Sequence, residues 1–483
     1  LPTESTSGKV TVDDSTGKGM FAYGGLRMGG EAFYGMNITN STTPEVLFTI
    51  TPEGLNGQAS TDFTRLGQIW SKPTAARIRL TKDKDPIDVL IFGGGYDINY
   101  ESDDYVATST TPAKGNAIYI INADTGALVT SLTTSNNSAM IHSITGEITI
   151  LDRDNDGLVD HLYAADLGGQ VFRADFENAR PKKFGFEAVN TATVKRVTRI
   201  LDTTPSIDAN KKFAYRFYER PVVSFYRSKG GTNNGKIFAL VNVISGNRSA
   251  PLSTLRSNND NANRVYGIID TDVGRSDLFT AADASLGVAN VKESSLVNLA
   301  ATLGNTPTEN IKKDTQTLLM GTASIAAKNG WYYPLTRFDG YNNVRYNKGI
   351  GDSVVINNLL YTTVYNPDKQ YGTVDSCAAR IAGGSERQVY CLPYGICMDP
   401  ASITGTGGFI PAGQGIQELT LGAFNEDNTN LKVLIGTTTI ADRILADNRN
   451  NYNTGGKVTD SSGTKVDSNI KGTSGATVAG GDG

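Results

Sequence analysis

Asn116–Val129, NAIYIINADTGALV, is the stretch whose reading decides the fold. Ile118, Tyr119, Ile120 and Ile121 form a short apolar run of β-branched and aromatic residues, the composition of a buried strand. Asp124, Thr125 and Gly126 then turn the chain: short polar side chains can hydrogen-bond nearby backbone, and glycine accepts positive φ without steric cost. Leu128 and Val129 open a returning strand. The segment is a hairpin written in about a dozen residues.

The same grammar recurs along the 483 residues. EAFYGMNIT (31–39), VLIFGGGYD (89–97), HLYAADLGGQVFRADF (161–176), GKIFALVNVISG (235–246), RVYGIID (264–270), LLYTTVYN (359–366), RQVYCLPYGICM (387–398) and LKVLIGTTT (431–439) are short apolar runs, most of them closed by Gly, Asn or Asp. Degenerate hairpins at intervals of a few tens of residues imply radial repetition, hence an all-β chain folded as a β-propeller. A β-sandwich would be complete within about 100 residues.

One region departs from this pattern. Between 277 and 328 the string TPTENIKKDTQTLLMGTASIAAKNG places Thr308 as an N-cap and Ile311, Leu318, Leu319 and Ile325 on an apolar stripe, predicting a helical insertion. Residues 447–483 are rich in Gly, Ser, Thr and Asn and cannot bury a core, so they read as an extended tail, and residues 1–16 read as a similar flanking segment. The propeller is expected over 17–446. The chain begins at Leu1 and reads as a mature or excised piece of a larger protein.

Charge and composition narrow the function. A net charge of -4 argues against a nucleic-acid surface, and no apolar run of about 18 residues is present to span a membrane. Two histidines leave little for a zinc site or a Ser-His-Asp triad. Of three cysteines, Cys391 and Cys397 flank LPYGI at mirrored positions around a turn, which suggests a disulfide and an oxidising compartment; three free buried thiols are the alternative.

The densest chemistry lies in DRDNDGLVD, Asp152–Asp160. Carboxylates at this spacing repel one another unless a cation lies between them. Asp152, Asp154 and Asp156 take positions one, three and five of a D-x-[DN]-x-[DN]-G calcium loop, Gly157 takes the sharp turn, Leu158 offers its carbonyl and Asp160 stands at nine. Oxygen-only donors suit a hard cation, and the flexible geometry favours Ca²⁺ over Mg²⁺. Position twelve is Tyr163 where an EF-hand has Glu, and the flanks alternate like strands, so the loop closes a β-hairpin. A plain Asp-Gly turn is the bland alternative, but it needs no such series of acids.

Other motifs carry less. GGTNNGKI (230–237) matches G-x-x-x-x-G-K, but Ile237 stands where Ser or Thr must hold Mg²⁺ and a strand follows, so it reads as a hairpin tip. The aromatics of QIWSKP (68–73) and GWYYPLTRFDGYNNVRYN (330–347) read as core in preference to a ligand groove.

Together, GGEAFYGMNIT, GQIWSKPTAARI, VLIFGGGYD, NAIYIINADTGALV, GDSVVINNLLYTTVYNPD and above all ITILDRDNDGLVDHLYAADLGGQVFRADF resemble the C-terminal region of PilC/PilY-type proteins, the type IV pilus tip-associated adhesins and biogenesis factors of Gram-negative bacteria. The resemblance runs from about Phe21 to Thr437. It implies a modified seven-bladed β-propeller with one calcium loop, its ligands falling on Asp152, Asp154, Asp156, the Leu158 carbonyl and Asp160. It implies a non-enzymatic protein at the pilus tip, cell surface or outer membrane that works with minor and major pilins. Such proteins support pilus assembly and twitching motility, oppose retraction in a calcium-dependent way and contribute to adhesion to a host-cell receptor. No RGD tripeptide is present, VGRSD (273–277) being the nearest string. The competing readings are a quinone-dependent propeller dehydrogenase and a carbohydrate-binding propeller.

Overall fold

The apolar runs become strands that pair with their neighbours in chain order. The computed structural model describes residues 3–4, 10–11, 19–102, 105–182, 187–204, 214–253, 262–300, 309–335, 347–369, 382–396, 409–423, 431–435 and 438–439. The chain divides into two compact units, 1–199 with 205–214 and 200–204 with 215–483.

In the first unit, Phe21–Gly25, Phe33–Asn37, Glu45–Thr51, Gly54–Leu55 and Gln58–Ala59 form one antiparallel meander. Thr74–Ile78, Ile87–Gly93, Ile118–Asn122 and Leu128–Leu132 form the next, with Asn116–Val129 supplying its third strand and the turn into the fourth. The side chain of Asn122 holds that turn by accepting from the amides of Asp124 and Thr125, both at 3.0 Å, and Gly126 takes φ +72°. Thr149–Leu151, His161–Ala165 and Gln170–Glu177 form the third meander, continued by Thr193–Asp202, at whose end the chain passes into the second unit.

Inner strands such as His161–Ala165, Arg264–Asp270, Leu359–Asn366 and Gly384–Cys391 are buried on both faces, which explains their continuous runs, whereas outer strands such as Thr74–Ile78 and Val222–Arg227 are partly open. Phe33, Phe48, Phe92 and Tyr119 fill one cluster of this unit, with the Phe33 and Phe92 rings 4.3 Å apart. Ile91, Ile120, Ile144, Leu162 and Phe172 fill another.

The second unit repeats the device. Val222–Arg227, Ile237–Ile244, Arg264–Asp270 and Gly330–Pro334 form an antiparallel sheet, with Val297–Asn298 added in parallel. Lys348–Gly349 and Val354–Ile356 pair with Leu359–Asn366, followed by Gly384–Cys391 and Phe409–Gln414. Leu419–Ala423, Leu431–Ile435 and Thr438–Thr439 form a further sheet. Trp331, Tyr333, Leu240, Leu360 and Tyr390 belong to a core cluster of this unit.

The GGTNNGK loop is a hairpin tip: Gly235 N–H donates to the Ser228 carbonyl and Ser228 N–H to that of Lys236, both at 2.8 Å. A helix occupies Glu309–Met320 and ends at Gly321, which takes φ +72° and returns its N–H to Thr317 at 2.9 Å. Leu319 and Met320 join the core, whereas Ile325 lies past the helix end and is exposed, so it is no part of the expected stripe. Thr308 and residues 440–483 lie outside the described residues. No helix among the described residues is long and apolar enough to cross a membrane.

Candidate metal centre

Leu151 pairs with His161, so Asp152–Asp160 is the loop of the hairpin joining Thr149–Leu151 to His161–Ala165. Two residues take left-handed backbone to close it, Asn155 at φ +58° and Gly157 at φ +85°. Asparagine and glycine are the residues that adopt this conformation at least cost. The acids also cap the loop's own amides. Asp152 accepts from Asp156 N–H at 3.2 Å and Gly157 N–H at 2.8 Å, and Asp156 accepts from Leu158 N–H at 2.9 Å. The buried side chains of Leu158 and Val159 anchor the loop's second half, and Val159 N–H reaches the Arg77 carbonyl at 3.1 Å.

This geometry gathers Asp152, Asp154 and Asp156, each offering a carboxylate oxygen within 4.8 Å of the others. Asp160 is not in that group; its Oδ2 accepts from Arg153 N–H at 2.8 Å. Burial, then the neighbouring Asp154 and Asp152 charges, raise the Asp156 carboxyl above the usual range. Burial, then Asp154, push Asp160 up to about 6. An all-oxygen donor set whose members are electrostatically uncomfortable together fits a hard divalent cation, whose charge would reverse both effects.

Directly behind the loop lies a buried ion group that the sequence did not announce. His161 Nδ1 and Asp175 Oδ1 lie 2.8 Å apart, and Arg173 Nε donates to the same oxygen at 2.8 Å, with all three side chains inaccessible. Burial would raise Asp175, but the His161 hydrogen bond and the Arg173 charge outweigh it and hold its carboxyl below the ordinary range. Burial pulls the His161 imidazole below its usual value, against the opposing hydrogen bond to Asp175. Alternation along the two strands is the one signal that could have exposed this group, since Arg173 and Asp175 share a face.

The segment ADLGGQ that follows is also structural. Asp166 accepts from Gly168 N–H and Gln170 N–H, both at 2.9 Å, and a Cβ on Gly168 would meet the His142 ring at 2.0 Å. His142 in turn lies 2.9 Å from the Tyr100 hydroxyl.

A second acidic loop, DTDVGRSD, spans Asp270–Asp277. Asp272 is buried and accepts from Gly287 N–H and Val288 N–H at 2.8 Å each. Arg275 donates to both oxygens of Asp277, at 3.0 and 2.9 Å, and lies 3.7 Å from Asp272. Arg275 holds the Asp277 carboxyl below its ordinary range. No cation is needed here, because the loop contains one.

Elsewhere, Cys391 is disulfide-bonded, while Cys397 and Cys377 lie outside the described residues. The aromatic strings divide: Ile69, Trp331 and Tyr333 are core, but Trp70 is 40% exposed. Residues 336–346 lie outside the described residues.

Comparison with known proteins agrees with this architecture. The family model of the PilY1 β-propeller domain matches residues 6–298, more than half of the chain. The type IV pilus biogenesis factor PilY1 of Pseudomonas aeruginosa is 26% identical over 152 residues, covering 32% of this chain and 11% of that protein. The PilY1 homologue of Xylella fastidiosa is 25% identical over 193 residues, covering 37% of this chain and again 11% of the relative. The matched stretch is thus about a tenth of the length of these relatives. The crystal structure of the P. aeruginosa PilY1 C-terminal domain superposes with a TM-score of 0.54 at 16% identity, over 87% of this chain and 79% of that one. That likeness speaks for the fold, and the family match gives it a name: the chain belongs to the PilY1 β-propeller domain family of type IV pilus biogenesis factors.

Proposed function

We propose that the chain is the calcium-binding, non-enzymatic propeller of a pilus-associated factor, working outside the cytoplasm at the pilus tip, cell surface or outer membrane. The observation that carries this reading is the convergence of Asp152, Asp154 and Asp156 in a hairpin loop of a PilY1-family propeller. Those three carboxylates, the Leu158 carbonyl and Asp160 would hold Ca²⁺, and Asp160 Oδ2 would then exchange its bond to Arg153 N–H for the ion. The ion offsets the mutual repulsion of the acids and stiffens the hairpin.

Its effect passes through that hairpin and not through a helix pair opening, since the loop runs directly into the strand His161–Ala165 and the buried Arg173–Asp175 pair beyond it. In this reading the propeller, completed to seven blades, supports pilus biogenesis through contacts with minor and major pilins. Loading of the loop opposes retraction, and twitching motility and host-cell adhesion follow from the balance.

Isothermal titration of the chain with CaCl₂ tests the ion: one site is expected, lost in Asp152→Ala and weakened in Asp160→Ala. Undiminished binding in both variants would remove the assignment. Pilus counts and twitching zones of cells carrying Asp152→Ala test the role, and normal piliation with calcium binding abolished would reduce the ion to a local staple.

A further inference from the structure

The large apolar side chains of the described residues are mostly internal, so the exceptions on two adjoining segments of the first unit, 26–28 and 69–70, call for an account. Leu26 is 45% exposed, Met28 78% and Trp70 40%. Backbone contacts hold them together. Arg27 N–H donates to the Ile69 carbonyl at 3.2 Å, and Gly25 lies so close to Ile69 that a Cβ would meet its side chain at 2.3 Å. The turn itself is closed by Leu26 N–H to the Ala32 carbonyl at 3.2 Å and Gly29 N–H to the Leu26 carbonyl at 2.8 Å. Arg27 takes φ +53°, a left-handed conformation that costs a non-glycine residue about 1 kcal/mol or more. Its guanidinium lies 5.6 Å from the centre of the Trp70 ring.

Strained backbone and exposed apolar surface both disfavour the chain in isolation, and a partner that covers the surface gives both a use. The chemistry of that partner can be read from the side chains. Trp, Arg and Met are enriched at the centres of protein interfaces, where Lys and Glu are depleted. A small-ligand site surrounds its aromatic platform with several convergent polar groups, whereas the charged group against the Trp70 ring is the Arg27 guanidinium, flanked in sequence by the exposed Leu26 and Met28. Arg27 makes no ion pair among the described residues, and nearby Glu31 is engaged by Lys114 at 2.7 Å. A guanidinium stacked on a ring keeps its in-plane donors available, and these match a carboxylate.

We propose that Leu26, Arg27, Met28 and Trp70 form a docking surface for a protein segment that carries an apolar side chain beside a carboxylate. The apolar group packs on Met28, Leu26 and the Trp70 ring, and the carboxylate meets Arg27. The surface is preformed, because the backbone bonds named above fix it before any partner arrives.

The chain supplies its own reporter. Of its two tryptophans Trp331 is inaccessible, so acrylamide-quenchable emission comes from Trp70. The probes are a synthetic peptide with a Leu-Phe-Asp centre, its Lys-for-Asp counterpart and sialyllactose. The Asp peptide is expected to shield Trp70 saturably and to bind at least about tenfold more tightly than the Lys peptide. Arg27→Glu reverses that preference, Met28→Asp weakens both peptides, and Arg27→Gln abolishes the preference if the reversed charge impairs folding. Thermal unfolding of the variants checks the fold independently. Equal binding of the two peptides, binding of neither, shielding by sialyllactose alone, or a Met28-dependent dimer in sedimentation would each overturn the proposal.

Discussion

Asp152–Asp160 and Asp270–Asp277 are both short acidic loops that open with carboxylates two residues apart, and they differ in what neutralises them. In the second, the Arg275 guanidinium holds both oxygens of Asp277 and approaches Asp272, and the Asp277 carboxyl is drawn below its usual range. In the first, burial and mutual repulsion push Asp156 and Asp160 upward. One loop is satisfied by the chain itself; the other, which holds Arg153 among its acids, takes its cation from solution in the reading proposed above. A pattern of acids alone therefore does not define a metal loop.

The largest effect expected from this contrast is calcium-dependent stability. At a free Ca²⁺ concentration a hundredfold above the dissociation constant, a one-site ion stabilises the fold by about 2.7 kcal/mol. Thermal scans with calcium and with chelator are expected to differ accordingly, and the difference to vanish in Asp152→Ala. Equal midpoints in the unaltered chain would break the comparison at its root.

Next in size is Asp272→Ala. It strands two amides that a buried carboxylate now satisfies, so about 2 kcal/mol of stability is expected to be lost in urea unfolding, with or without calcium. A loss that calcium could restore would mean that this loop, too, takes an ion.

Gly157→Ala follows. Nothing lies within 4 Å of the added Cβ, so the penalty is the left-handed backbone alone, about 1 kcal/mol measured in chelator.

Arg275→Gln is expected to have the smallest effect, and its signature is pH. Asp277 is ionised more readily in the folded chain than in the unfolded one. The stability it contributes is therefore present above the ordinary carboxylate value, about 4, and is lost as pH falls through the lowered one. The variant is expected to flatten that acid limb of the unfolding midpoint against pH. It is expected to gain no calcium response, because both Asp272 oxygens are occupied by amides.

What the sequence disclosed was local. The calcium-type loop could be read because its donors, its glycine and its flanking strands all lie between Thr149 and Ala165, and the Asn122 turn because the Asn side chain acts on its own backbone. Pairings over distance could not be read that way. Nothing in RILDT (199–203), NRVYG (263–267) and NVKES (290–294) says that Val291 will lie beside Leu201 in parallel, or that Arg264 will pair with Glu293. Ile69 and Trp70 are adjacent and similarly apolar, yet one is sealed and the other open, because the backbone bond from Arg27 to the Ile69 carbonyl fixes the direction in which each points. The Arg173–Asp175 pair is written two residues apart, but its burial depends on strands packed on both faces. The Cys391–Cys397 pairing falls partly outside the described residues.

The segment 291–298 has a consequence for how the protein behaves in company. Val291–Lys292 lies in parallel beside Leu201–Asp202, and Val297–Asn298 beside Trp331–Tyr332. Each pairing occupies the outer flank of a strand whose amides and carbonyls would otherwise offer a template to another chain. Two residues are too few to recruit a further strand in turn. Short terminal strands of this kind cap the outer flank of their neighbours over two residues each, leaving less of that flank to pair with another chain.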